Sequence, residues 1–187
     1  MKFKFTKQDL LTIPNMLTLF RIILIPFMIV SYVKNQDYKA TVIILVISGI
    51  TDVADGFIAR KFNMVSDFGK FFDPVADKLT QASIALCLWT RFPHMIYLFI
   101  LMAIKETIMF VTGYMSVRSS GEMLAAVWHG KVNTVLIYTV MFVHIFWYNI
   151  SRGTSDILIF IVACSMILSL ILYARMNIKK YKKFKED

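Results

Sequence analysis

The sequence predicts an all-α polytopic membrane protein with six transmembrane helices. Of the 187 residues, 58% are hydrophobic and only 18% are charged, and the mean hydropathy is +0.64. Water-soluble domains rarely have this composition. Apolar stretches of about 20 residues, bounded by polar clusters, recur along the chain, and the sequence lacks the alternating pattern of a membrane β-barrel. We therefore expect one membrane domain over residues 1–187.

Each apolar stretch is long enough to cross a hydrocarbon core of about 30 Å as a helix. Residues 1–12 mix Phe and Leu with lysines, which predicts a short interfacial segment. The first span is too long for the apolar region of a signal peptide, and we expect it to be retained. Residues 177–187 form a basic tail. The six predicted spans are residues 13–33, 40–60, 71–91, 94–116, 128–149 and 155–176.

The distribution of basic residues predicts the orientation in the membrane. Six spans place both termini on one face, and cytoplasmic loops are enriched in Lys and Arg. We therefore expect both termini on the cytoplasmic side of a bacterial cell membrane, with the basic tail on anionic headgroups. Basic residues gathered in this way do not indicate nucleic-acid binding. The face with the termini carries thirteen bases, namely Lys2, Lys4, Lys7, Arg60, Lys61, Lys70, Arg118, Arg175, Lys179, Lys180, Lys182, Lys183 and Lys185, against Lys34, Lys39, Arg91 and Arg152 on the other.

Four acidic residues lie at the cytoplasmic ends of spans two and three. Asp52 and Asp55 are three residues apart, and Asp73 and Asp77 are four apart, so each pair shares one face of its helix. A short connection predicts that the two helices are antiparallel neighbours with their acids facing each other. Clustered carboxylates repel unless they are neutralised, and Mg²⁺ or Mn²⁺ prefers such oxygen ligands. The pattern predicts a site for two divalent cations.

Small residues accompany the acids. Gly56 and Ala59 share the face of Asp52, and Gly69 lies one turn before Asp73. They leave room for a ligand beside the acids, although small residues also permit close packing of membrane helices. Arg60, at the end of the same face, carries a guanidinium suited to phosphate.

The stretch from Asp52 to Asp77 resembles the signature of the CDP-alcohol phosphatidyltransferases. That signature is D-x-x-D-G-x-x-A-R, eight residues, then G-x-x-x-D-x-x-x-D, and every fixed position matches. The opening P-N-M-L-T-L-F-R at residues 14–21 looks most like phosphatidylglycerophosphate synthases, with cardiolipin synthases nearby. The resemblance implies transfer of a phosphatidyl group from CDP-diacylglycerol to an alcohol, with release of CMP, in phospholipid biosynthesis. It also favours a homodimer.

The resemblance also implies a role for each matching residue. Asp52, Asp55, Asp73 and Asp77 would hold two divalent cations, Mg²⁺ or Mn²⁺, and Asp77 would also take the proton of the acceptor hydroxyl. Gly56, Ala59, Arg60 and Gly69 would line the pocket of the CDP-lipid donor, and Asn15 and Thr18 could form hydrogen bonds with it from span one.

The acceptor implied by the opening motif is glycerol 3-phosphate, a small dianion that needs cations beyond Arg60. Lys105, Arg118 and Lys131 on spans four and five are the candidates. Arg118 and Lys131 also fit basic residues of the headgroup layer. Many phosphatidylglycerophosphate synthases have Arg-Glu in span four, where this chain has Lys105-Glu106.

Other functions are compatible with parts of the pattern. A cardiolipin synthase of the same fold would use phosphatidylglycerol as the acceptor, and another CDP-alcohol phosphatidyltransferase would use a different alcohol. A cation or proton transporter also places acids in the membrane, but its pathway would extend to both faces, and the outer halves of these spans carry almost no charge. A binding protein that has lost catalysis is disfavoured because all four acids remain.

Overall fold

The computed structural model describes residues 12–64, 66–120 and 128–186, and these residues contain helices and no strand. Helix α1 continues into a short π-helix, Val30–Lys34. The prediction of an all-α protein is confirmed. The predicted interfacial segment, residues 1–12, lies almost wholly outside the described residues. The α-helices are α1 (Ile13–Ile29), α2 (Tyr38–Lys61), α3 (Asp67–Trp89), α4 (Met95–Ser120), α5 (Trp128–Phe146) and α6 (Arg152–Glu186).

Each predicted span overlaps one of the six helices, although the helices are not equally apolar and α6 continues to Glu186 through most of the predicted basic tail. Within the described residues, four segments are long and apolar enough to cross a membrane, and they are Ile13–Lys34, Tyr38–Lys61, Met95–Thr112 and Arg152–Met176. Val132–Phe146 is a shorter apolar helix. Helix α3 begins with the charged residues of the motif, which lowers its apolar content. The chain is an integral membrane protein.

Local signals at the helix starts explain where α1, α2 and α3 begin. Proline occupies the first turn of α1, where its missing N–H costs no hydrogen bond. The side chain of Asp37 accepts a hydrogen bond from the backbone N–H of Ala40 at 3.0 Å at the start of α2. Ser66 does the same for Gly69 at 3.0 Å at the start of α3. These caps satisfy backbone donors that a helix end leaves without partners.

The chain divides into two compact units, Met1–Thr90 and Arg91–Asp187. In the first unit α1 packs against both α2 and α3, and the described residues show little direct packing between α2 and α3. The expected pairing of α2 with α3 is therefore replaced by an arrangement in which α1 is their common partner. In the second unit α6 packs against both α4 and α5. The single domain over residues 1–187 stays a prediction.

Neutral polar side chains link α5 to α6 inside the second unit. The Nδ1 atom of His144 lies 2.7 Å from the carbonyl oxygen of Val140, so Nδ1 donates there. Its Nε2 atom then accepts from the hydroxyl of Ser155 at 2.9 Å. The hydroxyl of Ser165 donates to Oδ1 of Asn133 at 3.3 Å. These bonds hold the two helices together in an interior with few other polar partners.

Candidate functional site

The centre of the site is a polar stripe on α1. Asn15, Thr18 and Arg21 are three residues apart, so they lie along one face of the helix. Their exposed fractions are 1%, 0% and 2%, because α1 packs against α2 and α3. Polar and charged side chains buried in a membrane helix are costly unless they are partnered. The partners of these three side chains therefore show which residues of α2 and α3 the helix α1 brings together.

Thr18 connects the acids of α2 with those of α3. Its Oγ1 atom lies 2.7 Å from Oδ1 of Asp73, 3.4 Å from Oδ2 of Asp55 and 3.1 Å from the carbonyl oxygen of Pro14. A hydroxyl has one proton to donate, and the shortest of these contacts is with Asp73. The convergence of the two carboxylates on one hydroxyl brings both halves of the motif together, although α2 and α3 do not pack closely.

Arg21 binds both acids of α2. Its Nη1 atom lies 2.5 Å from Oδ1 of Asp52, and its Nη2 atom forms an ion pair with Oδ2 of Asp55. The side chain of Asp52 is 52% exposed, whereas that of Asp55 is only 5% exposed. Asp73 and Asp77 both lie within electrostatic range of Asp52. All four motif carboxylates therefore share one site beside α1.

The four carboxylates have the donor chemistry of a site for hard divalent cations, since all their ligand atoms are charged oxygens. In the part of the chain that the structure describes, no three acidic, His or Cys side chains have the arrangement needed to hold one metal ion. Arg21 pairs with one oxygen of Asp52 and one of Asp55, so two of the four acids already neutralise a positive charge. The oxygen chemistry of the four acids fits a divalent cation, although their present arrangement does not form a closed set of ligands.

Asn15 and Gly69 meet at the start of α3. The Nδ2 atom of Asn15 donates to the hydroxyl of Ser66 at 2.8 Å, and the same hydroxyl caps α3. A Cβ atom on residue 69 would lie 2.7 Å from Oδ1 of Asn15 and 3.7 Å from Oδ2 of Asp73. A side chain on residue 69 would therefore displace the side chain of Asn15 from its place beside Ser66. The role predicted for Asn15 and Gly69 in binding the donor stays a prediction.

Gly56, Ala59 and Arg60 lie along the C-terminal half of α2. A Cβ atom on residue 56 would be 3.5 Å from Nη1 of Arg60 and 3.7 Å from Nη2, so the guanidinium lies beside Gly56 at ordinary contact distance. Arg60 is exposed and Ala59 is partly buried. An exposed guanidinium beside Gly56 is available to a phosphate group, which is compatible with the predicted role in donor binding.

Gln81 and Ser66 are two residues of the site that the sequence did not single out. The Nε2 atom of Gln81 lies 3.4 Å from Oδ2 of Asp77, as a long hydrogen bond, and Gln81 is 1% exposed. Its position four residues after Asp77 is the spacing at which helical side chains meet, so this spacing was a usable signal. Ser66, three residues before Gly69, has the position of a helix cap.

The predicted acceptor residues belong to the second unit. Lys105 lies in α4 and is 4% exposed. Arg118 lies in α4 and Lys131 in α5, but their side chains are outside the described part of the structure. The acceptor roles of these three residues stay predictions.

Comparison with known proteins identifies the family. The CDP-alcohol phosphatidyltransferase family matches residues 11–171. A CDP-diacylglycerol–glycerol-3-phosphate 3-phosphatidyltransferase of Salmonella choleraesuis is 36% identical over 166 residues, which cover 83% of this chain and 88% of the relative. The Escherichia coli K12 protein of the same name is 34% identical with the same coverage. One from Rickettsia felis is 44% identical over 78 residues, 41% of this chain and 43% of that protein. The chain belongs to the CDP-alcohol phosphatidyltransferase family.

Proposed function

We propose that this protein transfers the phosphatidyl group of CDP-diacylglycerol to glycerol 3-phosphate, giving phosphatidylglycerophosphate and CMP. The observation that supports the proposal is the convergence of Asp52, Asp55 and Asp73 on Thr18 and Arg21, with Asp77 within electrostatic range of Asp52. The names of relatives that match most of the chain supply the acceptor. The reaction joins a lipid donor to a water-soluble acceptor, so a site near the membrane surface suits both substrates.

On the donor side, Asp52, Asp55, Asp73 and Asp77 would hold two divalent cations, Mg²⁺ or Mn²⁺. Such cations neutralise the donor diphosphate and improve CMP as a leaving group. Thr18 orients Asp73 through its 2.7 Å hydrogen bond. Arg60, exposed beside Gly56, can bind a phosphate oxygen through its planar guanidinium. These residues then position the donor for an attack in line with the departing CMP.

On the acceptor side, Asp77 takes the proton of the attacking hydroxyl as its oxygen bonds to the lipid-side phosphorus and the bond to CMP breaks. Gln81 holds Oδ2 of Asp77, which restricts the rotation of the carboxylate. Lys105, Arg118 and Lys131 are proposed to bind the phosphate of glycerol 3-phosphate. Charge-assisted hydrogen bonds make such cations effective phosphate ligands.

An acceptor screen with purified protein tests the proposed reaction. CMP release from CDP-diacylglycerol is measured with glycerol 3-phosphate, phosphatidylglycerol, inositol phosphate or serine, each with Mg²⁺, with Mn²⁺ and with EDTA. We expect release with glycerol 3-phosphate and either metal, and none with EDTA. Release with phosphatidylglycerol alone would instead assign the protein as a cardiolipin synthase. Absence of CMP release with every acceptor would contradict the transferase and leave cation transport to be tested.

The variant Asp77→Asn separates the base from the metal site. The amide keeps the size and one oxygen but cannot accept the proton of the hydroxyl, so we expect turnover to be lost while CDP-diacylglycerol still binds. Gln81→Leu is the matched variant, because it removes the hydrogen bond to Asp77 and keeps the base. It should lower turnover only in part. Normal turnover of Asp77→Asn would exclude Asp77 as the base.

We further propose that the acids face the cytoplasm and that the protein is a homodimer. The orientation is tested in whole cells. Both native cysteines are first removed by Cys87→Ala and Cys164→Ala, and a single cysteine is then introduced by either Asn35→Cys or Lys183→Cys. An impermeant thiol reagent added outside should label the cysteine at 35 and not the one at 183. The reverse pattern would contradict the orientation.

Cross-linking in native membranes tests the dimer, and a purely monomeric product would contradict it.

A further inference from the structure

Arg21 is the one cation in the described part of the site that is both buried and bound to motif acids. Its guanidinium bridges Asp52 and Asp55, although the family signature that begins at Asp52 does not include it. Arginine remains protonated in proteins. A permanent positive charge therefore lies against the carboxylates that are proposed to bind divalent cations.

The bonding of Arg21 is incomplete in two respects. Its Nε atom is buried and forms no hydrogen bond with the described residues. Its Nη1 atom approaches Asp52 as an ion pair whose geometry does not meet that of a hydrogen bond. A guanidinium that is part of a permanent structural network has its donors satisfied, since an unsatisfied buried donor costs stability. Arg21 is hydrogen-bonded to Asp55 through Nη2, whereas charge alone holds it at Asp52.

The two ion pairs of Arg21 differ in accessibility. The carboxylate of Asp55 is almost completely buried, whereas about half of the Asp52 side chain is exposed. Breaking a buried ion pair costs more than breaking an exposed one, because water cannot solvate the separated charges. An incoming cation therefore reaches Asp52 first, and the Arg21–Asp52 contact is the one that can be given up.

We propose that Arg21 acts as an internal counter-cation: it neutralises Asp52 and Asp55 in the metal-free protein and competes with the divalent cation for Asp52. Metal binding releases the Nη1 contact with Asp52 while the contact with Asp55 remains. The competition explains why the described acids do not form a closed ligand set. It also sets a lower metal affinity than the four carboxylates alone would give, because part of their charge is already neutralised.

The test is a Mn²⁺ titration of the purified, metal-free protein in detergent, followed by electron paramagnetic resonance of free Mn²⁺, without substrates. This inference rests on the proposed metal site, so Asp73→Asn is included to identify binding at the motif. Arg21→Gln should bind Mn²⁺ about fivefold or more tightly than the parent, equivalent to about 1 kcal/mol. Arg91→Gln, which removes one positive charge in the second unit, is the matched control and should bind as the parent does.

Thermal unfolding provides the second measurement. In EDTA, Arg21→Gln should unfold at a lower temperature than the parent, because its carboxylates lack a counter-ion. Mn²⁺ should raise its unfolding temperature by more than it raises that of the parent. A purely structural arginine would lower the unfolding temperature equally with and without Mn²⁺. If Arg21→Gln does not fold, Arg21→Lys is used, because one ammonium group cannot bridge both carboxylates as a planar guanidinium does, and its affinity should exceed the parent's at least about twofold.

The outcomes separate this inference from the metal site itself. One outcome is that the parent binds Mn²⁺ and that Asp73→Asn abolishes this binding, while Arg21→Gln and Arg21→Lys bind Mn²⁺ no more tightly than the parent. That outcome would overturn the role of Arg21 and retain the metal site. A weaker affinity in these variants would have the same meaning, since it would make Arg21 a support of the ligands. If the parent shows no saturable Mn²⁺ binding, both the metal site and the inference fail.

Discussion

The buried polar side chains of the two units differ in charge. In the first unit α1 buries Arg21 against Asp52 and Asp55, and Thr18 lies on two carboxylates. In the second unit the described buried polar residues are neutral hydrogen-bonding groups, such as His144 with Ser155, with Lys105 as the exception. Neutral hydrogen bonds are sufficient to hold membrane helices together. The buried charges of the first unit therefore indicate chemistry, and the neutral pairs of the second indicate structure.

The comparison also concerns the helix that organises each unit. In the first unit α1 is the common partner of α2 and α3, and in the second α6 is the common partner of α4 and α5. The polar stripe of α1 contacts motif acids on both neighbours, whereas the described bonds from α6 in the interior reach His144 and Asn133 on α5. A similar packing scheme thus encloses charged side chains in one unit and, apart from Lys105, neutral polar side chains in the other.

The largest effect is expected at the acids of the first unit. Asp73→Asn keeps the size of the side chain but removes a charged ligand, so we expect CMP release to fall at least about a hundredfold. The measurement is CMP release at limiting Mg²⁺, with protein yield and helicity as checks on folding. Asp156→Asn, at an exposed acid of the second unit, is the control and should retain parental activity. An equal loss of CMP release in Asp73→Asn and Asp156→Asn would contradict the view that the catalytic acids belong to the first unit.

A smaller but clear effect is expected for the hydroxyl that bridges the acids. Thr18→Val is nearly isosteric and removes the contacts with Asp73 and Asp55. Residues that orient metal ligands typically contribute about 10- to 100-fold to metal affinity or activity, and we expect a loss in that range, partly offset by raised Mg²⁺. Thr41→Val, at a threonine of equal burial bonded to Ser31 and Asp37, should affect stability only. Unchanged Mg²⁺ dependence in Thr18→Val would contradict the orienting role.

The buried lysine of the second unit tests whether that unit contributes to the chemistry. Lys105→Ala should raise the KM for glycerol 3-phosphate by about tenfold, equivalent to about 1.4 kcal/mol if KM reports binding, with little change for CDP-diacylglycerol. Lys131→Ala should act in the same direction, and Lys39→Ala, at an exposed lysine of α2, is the control. A parental KM in both variants would place acceptor binding elsewhere.

The smallest effect is expected for the neutral pair of the second unit. Ser155→Ala leaves Nε2 of the buried His144 without its partner, which should lower the free energy of unfolding by about 1 kcal/mol. Turnover should not change. Thr139→Ala, at an exposed threonine of α5 bonded to its own helix, should change stability less. If Ser155→Ala lowered kcat and left stability unchanged, the pair of Ser155 and His144 in the second unit would contribute to catalysis, contrary to this prediction.

Much of this protein was determined by the sequence alone. Apolar stretches of membrane length predicted the positions of all six helices, because a hydrocarbon core admits few other backbone structures. The spacing of Asp52 with Asp55, and of Asp73 with Asp77, predicted that each pair shares a helix face, since that follows from the helical repeat. The signature from Asp52 to Asp77 also identified the family that the comparisons confirm.

Only the tertiary structure decided which helix faces meet. The sequence indicated direct pairing of α2 and α3, but both pack against α1, which makes Arg21 the partner of Asp52 and Asp55 and makes Ser66 the partner of Asn15. Helical spacing specifies which side chains share a face, whereas the partner of that face depends on side-chain packing over distant parts of the chain. That long-range packing, and not the local pattern, places a guanidinium among the acids.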